Sequence, residues 1–155
     1  MIFQNIMKPI NELRLAFCSD HAGYELKMKI IEYLKPKMPA EMTDFGAFSA
    51  EPCDYADFAH PMAAAIERGE FDFGFAFCGS GNGINMTTNK HQGIRSALCW
   101  MPEIASLARH HNNANAMSLP ARYISFELAA EMVDIFLAAD FDGGRHQTRI
   151  DKIPT

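Results

Sequence analysis

The sequence contains no Cys-x-x-Cys pair, no His-Glu-x-x-His, no Gly-Lys-Ser/Thr and no apolar run of membrane-spanning length, and each absence excludes a class of function. A spanning helix needs about 20 consecutive apolar residues, so no membrane insertion is expected. The four cysteines, at 18, 53, 78 and 99, have neither the pairing of a zinc knuckle nor the density of a disulfide scaffold. They read as free thiols in a reducing compartment. The leading residues lack the charged-then-apolar plan of a secretory signal, and a cytoplasmic location follows as the default expectation. Positive charge is also short: 14 Lys and Arg against 19 Asp and Glu leave a formal charge of -5. Such a chain has no general attraction for nucleic acid or anionic membrane, so an anionic ligand must be gripped by a local group of cations. Repeats, linkers and low-complexity segments are absent, and 48% hydrophobic with 21% charged residues suits a soluble domain with a sizeable core.

What is present is organised around the stretch from Phe71 to Ile84, where a phenylalanine-rich run stops at Cys78 and enters the turn Gly79-Ser80-Gly81-Asn82-Gly83. Short length and aromatic content make the run a buried strand rather than a helix. The three glycines leave backbone N–H groups uncovered, and a helix starting near Ile84 adds its positive end, so the loop attracts anions. A dinucleotide fingerprint fails because position 84 is isoleucine. A nucleophile elbow around Ser80 fails because Cys78 and Asn82 stand where glycines are required. A thiol beside a cluster of donors remains. It can serve as nucleophile or general base, or it can be a small buried hydrophobe, the usual state of a free cysteine.

Taken in order, Leu13 to Cys18, Glu41 to Phe45, Phe71 to Cys78, Ile94 to Cys99 and Ala114 to Leu119 read as strands. Tyr24 to Leu34, Tyr55 to Arg68, Pro102 to His110 and the stretch from Ser125 to Ala139, with Ser125 as its cap, read as helices. The alternation implies an α/β protein, a three-layer α/β/α Rossmann-like fold with a five-stranded, mostly parallel sheet whose strand order stays open. Residues 1–12 are expected to be an N-terminal extension and 13–155 a single domain. Asp20 and His21 follow the first strand, where doubly wound folds place working residues, although taken alone Asp20 reads first as a cap of the next helix and His21 as a surface residue. Arg145 and Arg149, beside Gly143 and Gly144, would clamp a phosphate from one helical face; otherwise they form a solvated tail pairing with Asp142 and Asp151. His110 and His111 cannot share one helix face, which speaks against a two-histidine metal site.

Together these segments resemble the ribose-5-phosphate isomerase B family, which includes galactose-6-phosphate isomerase subunits. In family order, the resemblance is carried by Cys18 to Lys27, Asp54-Tyr55, Cys78 to Gly83, Asn89-Lys90 with Gly93 to Arg95, His111-Asn112 with Asn115, and Gly143 to Arg149. It implies an aldose–ketose isomerase that uses no metal or cofactor and works through a cis-enediolate. Family members take as base either a cysteine at the position of Cys78 or a glutamate at that of Ile84, so this chain resembles the cysteine type.

The resemblance also implies ring opening by His111, with Asp20 near the ring oxygen, and proton movement between O1 and O2 by Ser80. Tyr55 and Asn112 would hold sugar hydroxyls, the loop of Gly79, Gly81, Asn82 and Gly83 the enediolate oxygens, and His21, Arg122, Arg145 and Arg149 the phosphate. In the family some of these residues reach across from a second subunit. That implies a homodimer or dimer of dimers with shared sites, a phosphosugar substrate, and no nucleic-acid or membrane partner. A positive loop is expected to draw the Cys78 thiol below its ordinary pKa of about 8.5. Departures at Trp100 and Met101, and at Pro120 where many members have glycine, touch substrate identity. Ribose 5-phosphate is the first expectation; a galactose or allose 6-phosphate or a tetrulose 4-phosphate is the alternative. A non-catalytic phosphosugar-binding protein has no use for Cys78 as base, and a thiol-transfer protein would need a resolving cysteine that the neighbouring sequence lacks.

Overall fold

Alternation of large and small side chains along the two central strands sets the layers of this protein. The computed structural model describes residues 7–155. It holds β1 (Arg14–Ser19), β2 (Glu41–Asp44), β3 (Phe73–Cys78), β4 (Ser96–Leu98) and β5 (Ala116–Pro120). Between and after them run α1 (Tyr24–Leu34), α2 (Tyr55–Glu67), α3 (Asn82–Thr88), α4 (Pro102–His110), α5 (Phe126–Ala138) and α6 (Arg145–Ile150). The strand order is β2-β1-β3-β5-β4 and every neighbouring pair is parallel.

On one face, Leu15 and Phe17 of β1 and Phe73, Phe75 and Phe77 of β3 are buried in the same cluster as residues of α1, α4 and α5. Phe17 and Phe75 stack at 5.7 Å, and Phe75 meets Phe136 of α5 edge-on at 5.7 Å. Each such burial contributes roughly 1.5–3 kcal/mol. The opposite face carries Ala16, Cys18, Ala76 and Cys78 against α2 and α3. Small side chains there admit α2 closely: a Cβ added at Gly74 would lie 2.5 Å from Ile66 Cδ1. Cys78 therefore belongs to the tightly packed face.

β4 is shorter than the expected Ile94 to Cys99: side chains take over hydrogen bonds at its start, while Cys99 N–H still donates to Ser118 O at 3.0 Å. Arg95 N–H donates to Asn115 Oδ1 at 2.9 Å and Ser96 N–H donates to Asn89 Oδ1 at 2.8 Å. Asn89 thereby blunts an open sheet edge. α5 begins as expected at Ser125, whose Oγ accepts the Leu128 N–H at 3.1 Å. Of the expected extension, residues 1–6 lie outside the described residues. Met7 N–H donates to Asp140 Oδ1 at 2.6 Å, and Lys8 pairs with Asp72 at 3.0 Å. These bonds pin Met7 and Lys8 near the start of β3, away from the strands' carboxyl ends. Among the described residues no helix is long and apolar enough to cross a membrane.

Candidate active site

After β1 the chain turns towards β2, and after β3 it turns the other way, so a crevice opens at the carboxyl ends of these two neighbouring strands. In open α/β sheets ligands bind at such a switch point. Asp20 and His21 form one lip and Gly79 to Gly83 the other.

Asp20 is 7% exposed and does not itself cap α1, whose N-cap is Gly23, but braces the turn before it. Its Oδ1 accepts the Gly23 N–H at 2.9 Å, tying down the turn that leads into α1, while its own N–H donates to Phe77 O across the crevice at 3.1 Å. Gly23 makes the approach possible, since a Cβ there would fall 2.2 Å from Phe77 O. The half-buried His21 has its Nδ1 3.2 Å from both the N–H and the carbonyl of Cys53. When Nδ1 accepts that N–H, the ring proton sits on Nε2, the nitrogen left free to donate to a ligand. Cys53 was not singled out in the sequence because its contribution is a backbone contact.

Cys78 closes β3 and is 4% exposed. Burial pushes its thiol pKa up and the charge of Asp20 adds to this, while the N–H groups of Ile84, Gly81 and Gly83 act in the opposite direction. The net shift is upward, which corrects the expectation of a lowered thiol: three main-chain donors do not outweigh the loss of water. Gly81 has φ +77°, and a Cβ on it would come 2.5 Å from Leu98 Cδ1. Tyr55 lies over Gly83, where a Cβ would meet its ring at 2.4 Å, and Arg122 lies 3.3 Å from where a Gly79 Cβ would be. Ser80 Oγ accepts the Asn82 N–H at 3.2 Å. Ser80 and Asn82 also border a recess of about 520 Å³ walled by Leu98, Trp100, Pro120 and Tyr123. Cys18 stands one strand away on the same face, fully buried, and burial drives its thiol far above the usual range. It pairs in register with Ala76 rather than Cys78. The diagonal separation across parallel strands, about 8 Å, is too long for a disulfide.

The remaining candidates do not join this group within one chain. Cys78 pairs in register with Pro120 at the far end of β5, whereas His111 and Asn112 lie before its start, beyond Ala116. Four residue steps of strand alone separate the two ends by about 13 Å. His111 stacks face to face on His146 of α6, ring centroids 4.2 Å apart and planes 11° from parallel. Burial and the neighbouring His111 lower the pKa of His146. His110 pairs with Asp142 at 2.9 Å, so this carboxylate serves a histidine rather than the arginines of the expected tail. Arg145 and Arg149 open and nearly close α6, both exposed. Ligand atoms of His111, Asp142 and His146 lie within 4.8 Å of one another. Because stacked rings aim their lone pairs in parallel, these three could converge on a cation only after one imidazole turned. Adjacent-histidine reasoning missed this trio, since His146 is remote in sequence.

The family description Ribose/Galactose Isomerase matches residues 15–153. The chain is 40% identical over 140 residues to ribose-5-phosphate isomerase B of Escherichia coli, covering 90% of this chain and 93% of that protein. Its structure is similar to a ribose 5-phosphate isomerase from Thermotoga maritima, with TM-score 0.89 and 48% identity over 92% of this chain and 97% of the other. It is also similar to ribose-5-phosphate isomerase B from Mycoplasma genitalium with bound ribulose-5-phosphate, with TM-score 0.85 and 40% identity over 90% and 93%.

Proposed function

Because this chain belongs to the Ribose/Galactose Isomerase family, we propose that it interconverts ribose 5-phosphate and ribulose 5-phosphate through a cis-enediolate, with Cys78 as the base. The observation that carries the mechanism is the position of the Cys78 thiol, shut off from water at the switch point with main-chain N–H groups turned towards it. The thiolate removes the C2 proton of the open-chain aldose, and the electron pair forms the C1–C2 double bond as charge moves to O1. Ser80 passes the hydroxyl proton from O2 to O1. The thiol then returns its proton to C1, leaving the ketone at C2. Main-chain donors of the glycine loop hold the oxyanion, each worth about 3 kcal/mol where such donors have been removed.

A proton transfer needs heavy atoms within about 3 Å, and ring opening takes place one bond from the carbon that Cys78 serves. His111, beyond the far end of β5 from Cys78, cannot act on that sugar in its own chain. It serves the site of a second copy, moving the proton of the anomeric hydroxyl to the ring oxygen, with Asn112 beside it. A two-fold dimer makes two equal sites of this kind. His21 and Arg122 of one subunit, with Arg145 and Arg149 of the other, then surround the phosphate, which is how a chain of charge -5 holds an anion. Four unpaired cysteines suit a cytoplasmic setting.

The test is isomerisation by purified protein treated with a chelator, before and after thiol alkylation, together with a Cys78→Ala variant. Turnover that persists in chelator, is lost on alkylation and falls about a thousandfold in the variant, with sugar-phosphate binding retained, is expected. Activity of Cys78→Ala within a few-fold of the parent would exclude Cys78 as base. The recess beside Ser80 favours one second reading, a longer phosphosugar resting against Trp100. Turnover on four-, five- and six-carbon phosphosugars separates the two, and a ribose preference below about tenfold, ~1.4 kcal/mol, would favour the second.

A further inference from the structure

His111 and Asn112 can work in a partner's site only if their turn holds a fixed angle, and the structure grips that turn from behind. Arg95, just before β4, donates from Nε to Asn112 O and from Nη2 to Asn113 O, both at 2.9 Å. Its guanidinium is thus spent on two main-chain carbonyls, a use that suits its rigid planar fork and that a point charge cannot reproduce. Arg95 is itself held. Its N–H donates to Asn115 Oδ1 at 2.9 Å, Asn115 Nδ2 donates to Gly93 O at 2.8 Å, and Gly93 N–H donates to Glu67 Oε1 of α2 at 2.7 Å. From the other side Arg109 donates to Asn113 Oδ1 at 3.0 Å and to Ala114 O at 2.6 Å. Between them Asn113 adopts φ +44°, a left-handed conformation that persists where surrounding bonds hold it.

We propose that Arg95 is a positioning residue for ring opening: by holding the carbonyls of Asn112 and Asn113 it sets the angle at which His111 and Asn112 enter the partner's site. This inference rests on the assignment of ring opening to His111 made above. The role separates from a merely structural one because the two directions of the reaction use His111 differently. Ribose 5-phosphate is a furanose and must be opened. Ribulose 5-phosphate is acyclic, since its C5 oxygen is esterified and closure through O4 would give a four-membered ring. Turnover of the ketose to the free aldehyde therefore reports the Cys78 step without ring opening. An enzyme impaired only in opening still obeys the equilibrium for the open-chain species, because opening then lies outside its cycle.

The experiment measures both directions for the parent, His111→Ala, Arg95→Met and Arg95→Lys. For Arg95→Met, turnover of ribose 5-phosphate should fall about a hundredfold, as an ~1 Å misplacement does, while turnover of ribulose 5-phosphate stays within about threefold. Arg95→Lys should show the same asymmetry with a smaller loss, and carries the test if Arg95→Met does not fold. Added guanidinium should restore part of the ribose 5-phosphate turnover of Arg95→Met. Equal losses in both directions by the Arg95 variants, with His111→Ala asymmetric, overturn this inference alone. Equal losses in His111→Ala overturn the ring-opening assignment and the inference with it.

Discussion

The pH dependence of the Cys78 step follows from the balance of forces on its thiol. Burial comes first among them and raises the pKa, Asp20 raises it further, and the N–H groups of Ile84, Gly81 and Gly83 recover only part. A thiol shifted upward keeps its proton at neutral pH, so the basic form appears only as pH rises. At the ordinary pKa of about 8.5 the thiolate fraction at pH 7 is ~3%, and Cys78 lies below that. A bound sugar phosphate brings more negative charge and moves the balance the same way. Using ribulose 5-phosphate to avoid ring opening, kcat/KM should rise about tenfold between pH 7 and 8 and show no plateau before about 8.5. Iodoacetamide labelling of Cys78 in the substrate-free protein should follow the same slope. A labelling plateau below pH 8 would mean that the loop donors outweigh burial, refuting the electrostatic reasoning. A flat kcat/KM with labelling still rising would refute proton removal by Cys78 as the limiting step.

Two further outcomes test the shared site and its frame. Mixing Cys78→Ala and His111→Ala subunits, each inactive in ribose 5-phosphate isomerisation, should restore about a quarter of parental activity, since half of randomly mixed dimers are hetero and each has one intact site. No recovery after verified subunit exchange would refute a site shared between copies. Gly23→Ala places a Cβ 2.2 Å from Phe77 O, a backbone atom that cannot turn aside. It should cost about 3 kcal/mol or more and displace Asp20, read as a lower urea midpoint with activity lost; an unchanged midpoint would show that α1 shifts freely.

The parts of this protein legible in the sequence are those that depend on near neighbours. A short, phenylalanine-rich run before Cys78 marked a buried strand, Ser125 marked a helix start, and five strands among helical stripes marked the α/β class. The ordered motifs from Asp20 to Arg149 marked the isomerase family, because spacing along the chain is itself a one-dimensional property. The start of β4 was not legible, since Asn89 and Asn115 bond the first N–H groups there from outside the strand.

Only the tertiary structure decided which candidates share a site. Parallel strands put Asp20, His21 and Cys78 at one end of the sheet, while α4 returns the chain to the other end and leaves His111, Asn112 and α6 there. It also decided the sign of the Cys78 shift: glycines and a following helix point downward, but desolvation depends on what packs around the sulfur. The sequence alone therefore supplied the candidate chemistry, one thiol with its loop and a set of cations. Folding determined where that chemistry can operate, because burial and distance are sums over residues far apart in the chain.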